Sequence, residues 1–263
     1  MCTVLLRFRP DQPWPLLIAA VRDEFLERPW DPPAAHWPDT PAVIGGRDRT
    51  AGGTWLAVRA NSAGAAGTTG PAVAALLNGV RLPELEVGTR PSRGTLPLTA
   101  LTDPTMADRG VPDAPDYDGF HLLLGTPSAV TVWSWDGRIR TRQDLPPGDH
   151  ILVNLGVNTV DDPLVPHFAP LFAALPDPPL KGETTEDGWG PWLTLLRGDG
   201  LPGDDPRALI VRKEFDGTEP GTERFAGKVY GSGSATLVAI SVDRVRYDFT
   251  PTPATPQWTP VLH

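Results

Sequence analysis

The chain of 263 residues is short of several things, and each shortage excludes something. It has a single cysteine, Cys2. No internal disulfide can form, no zinc site can be built on several thiolates, and a reducing compartment, the cytoplasm, is the simplest placement. No apolar run approaches the ~18–20 residues of a membrane span, and the opening MCTVLLRFRP shows no apolar stretch ahead of a cleavage site, so no membrane span is expected. Basic runs are missing too: 23 Lys and Arg against 32 Asp and Glu leave a net charge of −9. The arginines are scattered, which argues against nucleic acid as a partner. The five histidines, His36, His121, His150, His167 and His263, show no H-x-x-x-H spacing, so no dedicated metal site is expected. The glycine-rich stretches lack the Lys-Ser/Thr of a phosphate loop.

What is present describes a folded chain with many loops. Apolar residues make up 40 % of it and nine are tryptophan, while 32 prolines and 27 glycines punctuate the rest. With no repeat and no low-complexity linker, a single domain over residues 1–263 is expected. Thr3–Arg9 and Pro15–Val21 read as two strands around the turn Pro10-Asp11-Gln12-Pro13-Trp14. An antiparallel hairpin centred near residue 12 sets residue 2 opposite residue 22, which brings Arg22 and Asp23 beside Cys2.

Further strands are expected at Leu56–Val58, Phe120–Leu124 and Ala129–Trp135, the last turning at Asp136-Gly137 into Arg138-Ile139-Arg140. Ala235–Ile240 and Arg244–Phe249 predict another hairpin. Proline-rich residues 28–41, carrying Trp30, His36 and Trp37, read as an irregular segment. Gly45-Gly46 and Gly52-Gly53 read as turns. Short helices are expected over Pro71–Asn78, over 161–175 and from Gly190. The tail beyond Pro251 is expected to be irregular. Antiparallel hairpins with few helices between them predict an α+β fold.

Cys2 carries the chemistry. Removal of Met1 would leave a thiol and a free α-amine on one residue, and an α-amine with an ordinary pKa of ~7.7–8.0 can take the thiol proton near neutrality. The plainer alternative makes Cys2 a small hydrophobe at the start of a strand. Arg22 and Asp23 have a structural alternative too, as a buried ion pair, and Asn154 as a turn residue.

In chain order stand Met1-Cys2, Arg22-Asp23-Glu24-Phe25 with Arg28-Pro29, Gly45-Gly46-Arg47-Asp48 and Gly52-Gly53-Thr54-Trp55-Leu56. Ser92-Arg93-Gly94, Gly119-Phe120, Leu145-Pro146-Pro147-Gly148 leading to Asn154, and Tyr230-Gly231-Ser232 follow. This ordered set resembles the NRDE proteins, also called the transport and Golgi organisation family, which look like N-terminal-nucleophile hydrolases.

The resemblance implies a four-layer αββα sandwich of mainly antiparallel sheets. It also implies an amidohydrolase acting on a non-peptide C–N bond of a small acyl amide, without a cofactor. Cys2 would be the nucleophile, Arg22 and Asp23 would orient thiol and amine, and Asn154 would serve the oxyanion. An alternative implied by the same resemblance is a non-catalytic carrier of haem or another apolar ligand, with Cys2 or His36 as axial ligand. Trp30, Trp37 and Trp55 would line the pocket.

The chain departs from the family pattern at three places: Val21 stands for an asparagine, Gly67-Thr68-Thr69 for a Leu-Thr-Asn segment, and Gly233 for an arginine.

Overall fold

The computed structural model describes residues 2–60, 70–79, 90–106, 110–111 and 117–263. Two antiparallel sheets and a few short helices account for about half of them, a mixed α/β architecture. At the centre of the first sheet lie β1 (Thr3–Phe8) and β2 (Leu16–Phe25), paired from Thr3 opposite Val21 to Phe8 opposite Leu16. This is the hairpin centred on residue 12 that the apolar runs predict. Beyond β1 come β10 (Gly148–Val153) and β11 (Gly156–Val157). On the far side of β2 stand β13 (Val229–Ile240), β14 (Val245–Thr250) and β15 (Thr259–Leu262), with β12 (Arg212–Glu214) also pairing with β13.

The second sheet runs in chain order: β3 (Trp30–Ala34), β4 (Val43–Asp48), β5 (Leu56–Arg59), β6 (Ala72–Asn78), β7 (Phe120–Gly125), β8 (Val130–Trp135) and β9 (Arg140–Asp144). The helices are α1 (Leu96–Thr102), α2 (Leu164–Ala173), α3 (Thr185–Trp189) and α4 (Pro191–Leu196).

The period-two alternation of strands divides the core. Leu16, Ile18 and Ala20 of β2 join Val73, Ala75 and Leu77 of β6 in one cluster drawn from both sheets. The alternate residues Leu17, Ala19 and Val21 pack with Phe168, Trp189 and Trp192 of α2, α3 and α4. On the second sheet, Ala72, Ala74 and Leu76 pack with Leu96, Ala100 and Leu101 of α1.

Four expectations need correction. Pro71–Asn78 is a strand, not a helix. Its run of small and apolar residues is buried on both faces between β5 and β7, and such a run has no periodicity that separates the two states. Gly45 and Gly46 lie within β4, where a Cβ on Gly45 would come within 2.6 Å of the Leu56 carbonyl oxygen and one on Gly46 within 2.3 Å of the Trp55 ring. Close approach, not a turn, requires them; Gly52, with φ of 74°, is the turn glycine. Residues 28–41 include an edge strand, which tolerates Pro32 and Pro33 because its pairing shifts register between Asp31 and Ala34. The tail ends in the edge strand β15. The departure at Gly67-Thr68-Thr69 lies outside the described residues, as does Met1.

Candidate active site around Cys2

Register brings the site together. Val4 pairs with Ala20 on one side and Leu152 on the other. Two residues earlier, Cys2 therefore lies between residue 22 and residue 154. Its main-chain N–H donates to Asn154 Oδ1 at 2.8 Å, and its thiol donates to the Asp23 carbonyl at 3.8 Å. Arg22, Asp23 and Asn154, singled out in the sequence, thus all gather at Cys2.

Asn154 is held from the second sheet as well. Its Nδ2 donates to the Asn78 carbonyl at the end of β6. His121 Nε2 lies 3.1 Å from the Asn154 carbonyl, and its Nδ1 lies 2.7 Å from Ser134 Oγ. Burial pushes the His121 ring below its ordinary value, so the neutral ring donates from Nε2 and accepts at Nδ1. Asn154 therefore turns its oxygen to the Cys2 nitrogen, while the donor expected to serve an oxyanion is engaged by Asn78.

Asp23 is buried, and burial pushes its carboxyl up to about 6 against the opposing hydrogen bond from Ser232. Ser232 Oγ donates to Asp23 Oδ1 at 2.6 Å, and Tyr230 donates its hydroxyl to the Asp23 carbonyl at 3.0 Å. Both come from β13, whose pairing with β2 shifts between Ser232 and Ser234. That irregularity sets Ser232 opposite Asp23 and Ser234 opposite Arg22.

Arg22 is buried over the face of Trp55, its guanidinium carbon 4.3 Å from the ring centroid. Its closest carboxylate oxygen, Asp48 Oδ2, is 3.8 Å away and already accepts from Arg28 at 2.6 Å. The other Asp48 oxygen accepts from the main-chain N–H groups of Thr50 and Ala51.

Burial pushes the Cys2 thiol above its ordinary value, and the Asp23 carboxylate adds to that, while Arg22 opposes it. Cys2, Val4, Ala20, Arg22, Trp55 and Leu77 are among the residues lining a cavity of about 20 Å³, room for a single water. The expected Trp55 faces this cavity, and Trp30 packs edge-on to Trp55 and lines the neighbouring pocket. Trp37 lines neither; it packs on the outer cluster and donates from Nε1 to the Gly52 carbonyl.

His36 is not brought to Cys2. Its Nε2 lies 2.7 Å from the Pro32 carbonyl, and it lines neither the Cys2 cavity nor the pocket beside it. The Cys2 cavity, with room for one water, does not fit a haem held at Cys2, and His36, the other ligand considered, lies away from it. Among the described residues no cluster of His, Cys, Asp and Glu could hold a metal ion, and no helix is long and apolar enough to cross a membrane.

Sequence reasoning missed His121, Asn78, Asp48 and Trp55's partnership with Arg22. The strong Phe120–Leu124 strand signal placed His121 in a sheet but gave no clue to its partner.

The site belongs to a mixed α/β protein with two antiparallel sheets and a near-terminal cysteine between two strands. The family model for transport and Golgi organisation 2 matches residues 1–165, more than half of the sequence, and the chain belongs to that family. The matched span holds Cys2, Arg22, Asp23 and Asn154; Tyr230 and Ser232 lie beyond it. No curated protein matches the chain.

Proposed function

We propose that the chain is an N-terminal-nucleophile amidohydrolase that cleaves a non-peptide C–N bond through Cys2. The observation that carries this reading is the pairing at one residue: the Cys2 nitrogen is held 2.8 Å from Asn154 Oδ1, and the thiol of the same residue sits beside Arg22 and Asp23. Three core clusters, one drawn from both sheets and one on each outer helical face, support a four-layer αββα arrangement for it.

Removal of Met1 turns the Cys2 nitrogen into an amine, with Asn154 Oδ1 left to orient it. The amine takes the thiol proton. Sγ then bonds to the acyl carbon, and the carbonyl π pair moves to oxygen. Collapse of that oxyanion breaks the C–N bond, and the leaving nitrogen takes the proton back from the ammonium. Water then adds its oxygen to the acyl carbon as the amine takes one of its protons; collapse breaks the C–S bond, the ammonium returns that proton to Sγ, and the acid leaves. Arg22 favours the thiolate by its charge. A thiol raised by burial suits such a pair, because the proton is handed to the neighbouring amine at the moment of attack. Asn154 Nδ2 can serve an oxyanion only by leaving the Asn78 carbonyl.

Intact mass and amide turnover test this together. The purified protein should lack Met1 and release p-nitroaniline from simple acyl anilides, and Cys2→Ala and Cys2→Ser should reduce release to the uncatalysed level. Turnover that survives both changes, or a retained Met1, would overturn the hydrolase reading; the second result would favour a binding protein.

A further inference from the structure

Behind Arg22 lies a second space. A pocket of about 310 Å³ is lined by Arg22, Leu26, Trp30, Ile210, Gly233 and the loop Pro251–Thr255, among others. That volume is at the lower end of small-molecule sites. Among the described residues Arg22 alone lines both this pocket and the Cys2 cavity.

The Arg22 side chain is only 7 % exposed, yet its guanidinium makes no hydrogen bond among the described residues. A guanidinium has five N–H donors, and burying a cation without hydrogen-bonded partners is costly. The stacking on Trp55 and the distant Asp48 use none of these donors. Opposite Arg22 on β13, the Ser234 hydroxyl is buried and likewise has no hydrogen-bond partner among the described residues. The other charges of the pocket are engaged: Glu24 Oε1 accepts from the Phe25 N–H at 2.8 Å, and Arg212 Nη2 donates to Glu214 at 2.9 Å.

Gly233 opens the approach. A Cβ built there would stand 3.8 Å from Arg22 Nη1, so that nitrogen faces the pocket past a residue with no side chain. Leu26, Trp30, Ile210 and Pro251 give the pocket an apolar wall, and Ser232, Thr252 and Thr255 add hydroxyl groups to the lining.

We propose that this pocket is a carboxylate-binding subsite with Arg22 as its receptor, for a small molecule that carries an apolar body and one carboxylate. Planar, two-point donation is what a guanidinium offers a carboxylate. Because Arg22 also borders the Cys2 cavity, the carboxylate belongs to the amide substrate or to its product, an assignment that rests on the hydrolase reading; binding itself does not.

Binding is measured on full-length Cys2→Ala, by calorimetry and by tryptophan fluorescence, with phenylacetate, hexanoate and N-acetylleucine against their uncharged amides. At least one carboxylate should bind tenfold or more tightly than its amide. Gly233→Asp, which sets a carboxylate beside Arg22 Nη1 without a positive φ to strain it, should weaken that binding at least tenfold while thermal unfolding is unchanged. Arg22→Gln should do the same. Equal binding of acids and amides, no binding of any acid at 10 mM concentrations, on the order of the weakest ligand affinities, or full binding in Gly233→Asp would overturn the proposal. Turnover of neutral anilides would leave the hydrolase reading standing in each of those cases. Carboxylate binding in a protein that shows no turnover would support the subsite and count against the hydrolase.

Discussion

Two buried arginines stand at opposite ends of one hairpin, and they are buried for different ends. Arg7, on β1, is enclosed and fully bonded: Nε and Nη2 reach the two Asp149 oxygens at 2.7 and 2.9 Å, and Nη1 reaches the Leu175 carbonyl and Asp177. Nη2 also donates to the Phe172 carbonyl at 3.0 Å. Arg22, on β2, lies against one ring and one carboxylate held by another residue. Arg7 ties α2 and the chain that follows it to the first sheet. Among the described residues Arg22 makes no comparable tie, which fits the ligand-binding role proposed for it above.

Substitution should separate the two by stability. Arg7→Leu leaves Asp149 and two carbonyls without their donor and should cost about 3–5 kcal/mol. Arg22→Leu removes a cation–π contact of about 1 kcal/mol and relieves a desolvated charge, so the net change should stay within about 1 kcal/mol. Urea unfolding of both variants measures this directly, and an equal loss at Arg22 would show that it too is structural.

Asp23 sharpens the contrast, because it is a buried acid beside Arg22, the cation without a hydrogen bond among the described residues. Its folded pKa of about 6 stands above the ordinary 3.8. Between those values the folded chain keeps a proton that the unfolded chain has lost, so stability falls as pH rises through that window and is level above it. At neutral pH the penalty reaches up to about 3 kcal/mol, at 1.36 kcal/mol per unit. Asp23→Asn can still accept from Ser232 and should raise stability at pH 7 by up to that amount. Its unfolding midpoint should also lose the slope between pH 4 and 6 that the wild type shows.

The two ends of the hairpin were unequally legible in the sequence. The turn Pro10–Trp14 between apolar runs fixed a centre at residue 12, and with it the meeting of Cys2 with Arg22 and Asp23. The Asp136-Gly137 turn was equally local, and Asp136 Oδ1 does accept from the Arg138 and Ile139 N–H groups. Non-local contacts left no such trace. The strand Ala72–Asn78 is decided by its two neighbours, and Gly45 and Gly46 by the residues Trp55 to Ala57 packed against them. Asn154 could be named as a candidate, but which of its two amide atoms faces Cys2 depends on Asn78 from the other sheet. Nor could the sequence show that Arg7 is saturated and Arg22 is not, since both partner sets are assembled from distant segments.

The support beneath Arg22 should break at Gly46. An alanine there drives its Cβ to 2.3 Å from the Trp55 ring, and the ring, the platform of Arg22, must shift. Overpacking of this kind costs roughly 1–3 kcal/mol. The loss should appear in urea unfolding together with a changed Trp fluorescence. A Gly46→Ala protein as stable as wild type, with unchanged emission, would mean that Trp55 has room to move and that Arg22 is not fixed by it.

The smallest effect is read at the thiol itself. Burial first and Asp23 second hold the Cys2 thiol above its ordinary value, while Arg22 pulls it down. Since the thiolate is the reactive form, iodoacetamide at pH 7 should modify Cys2 measurably more slowly than free cysteine. Asp23→Asn removes a like charge and should speed modification a few-fold, whereas Arg22→Leu should slow it a few-fold. Both shifts should vanish at a pH high enough to ionise every variant. Arg7→Leu, at the other end of the hairpin and absent from the influences on Cys2, should leave the rate alone at temperatures where it remains folded. A thiol that answered to Arg7 as it does to Arg22 would mean that the two ends of the hairpin are coupled through β1, and that the division between a structural and a functional arginine does not hold.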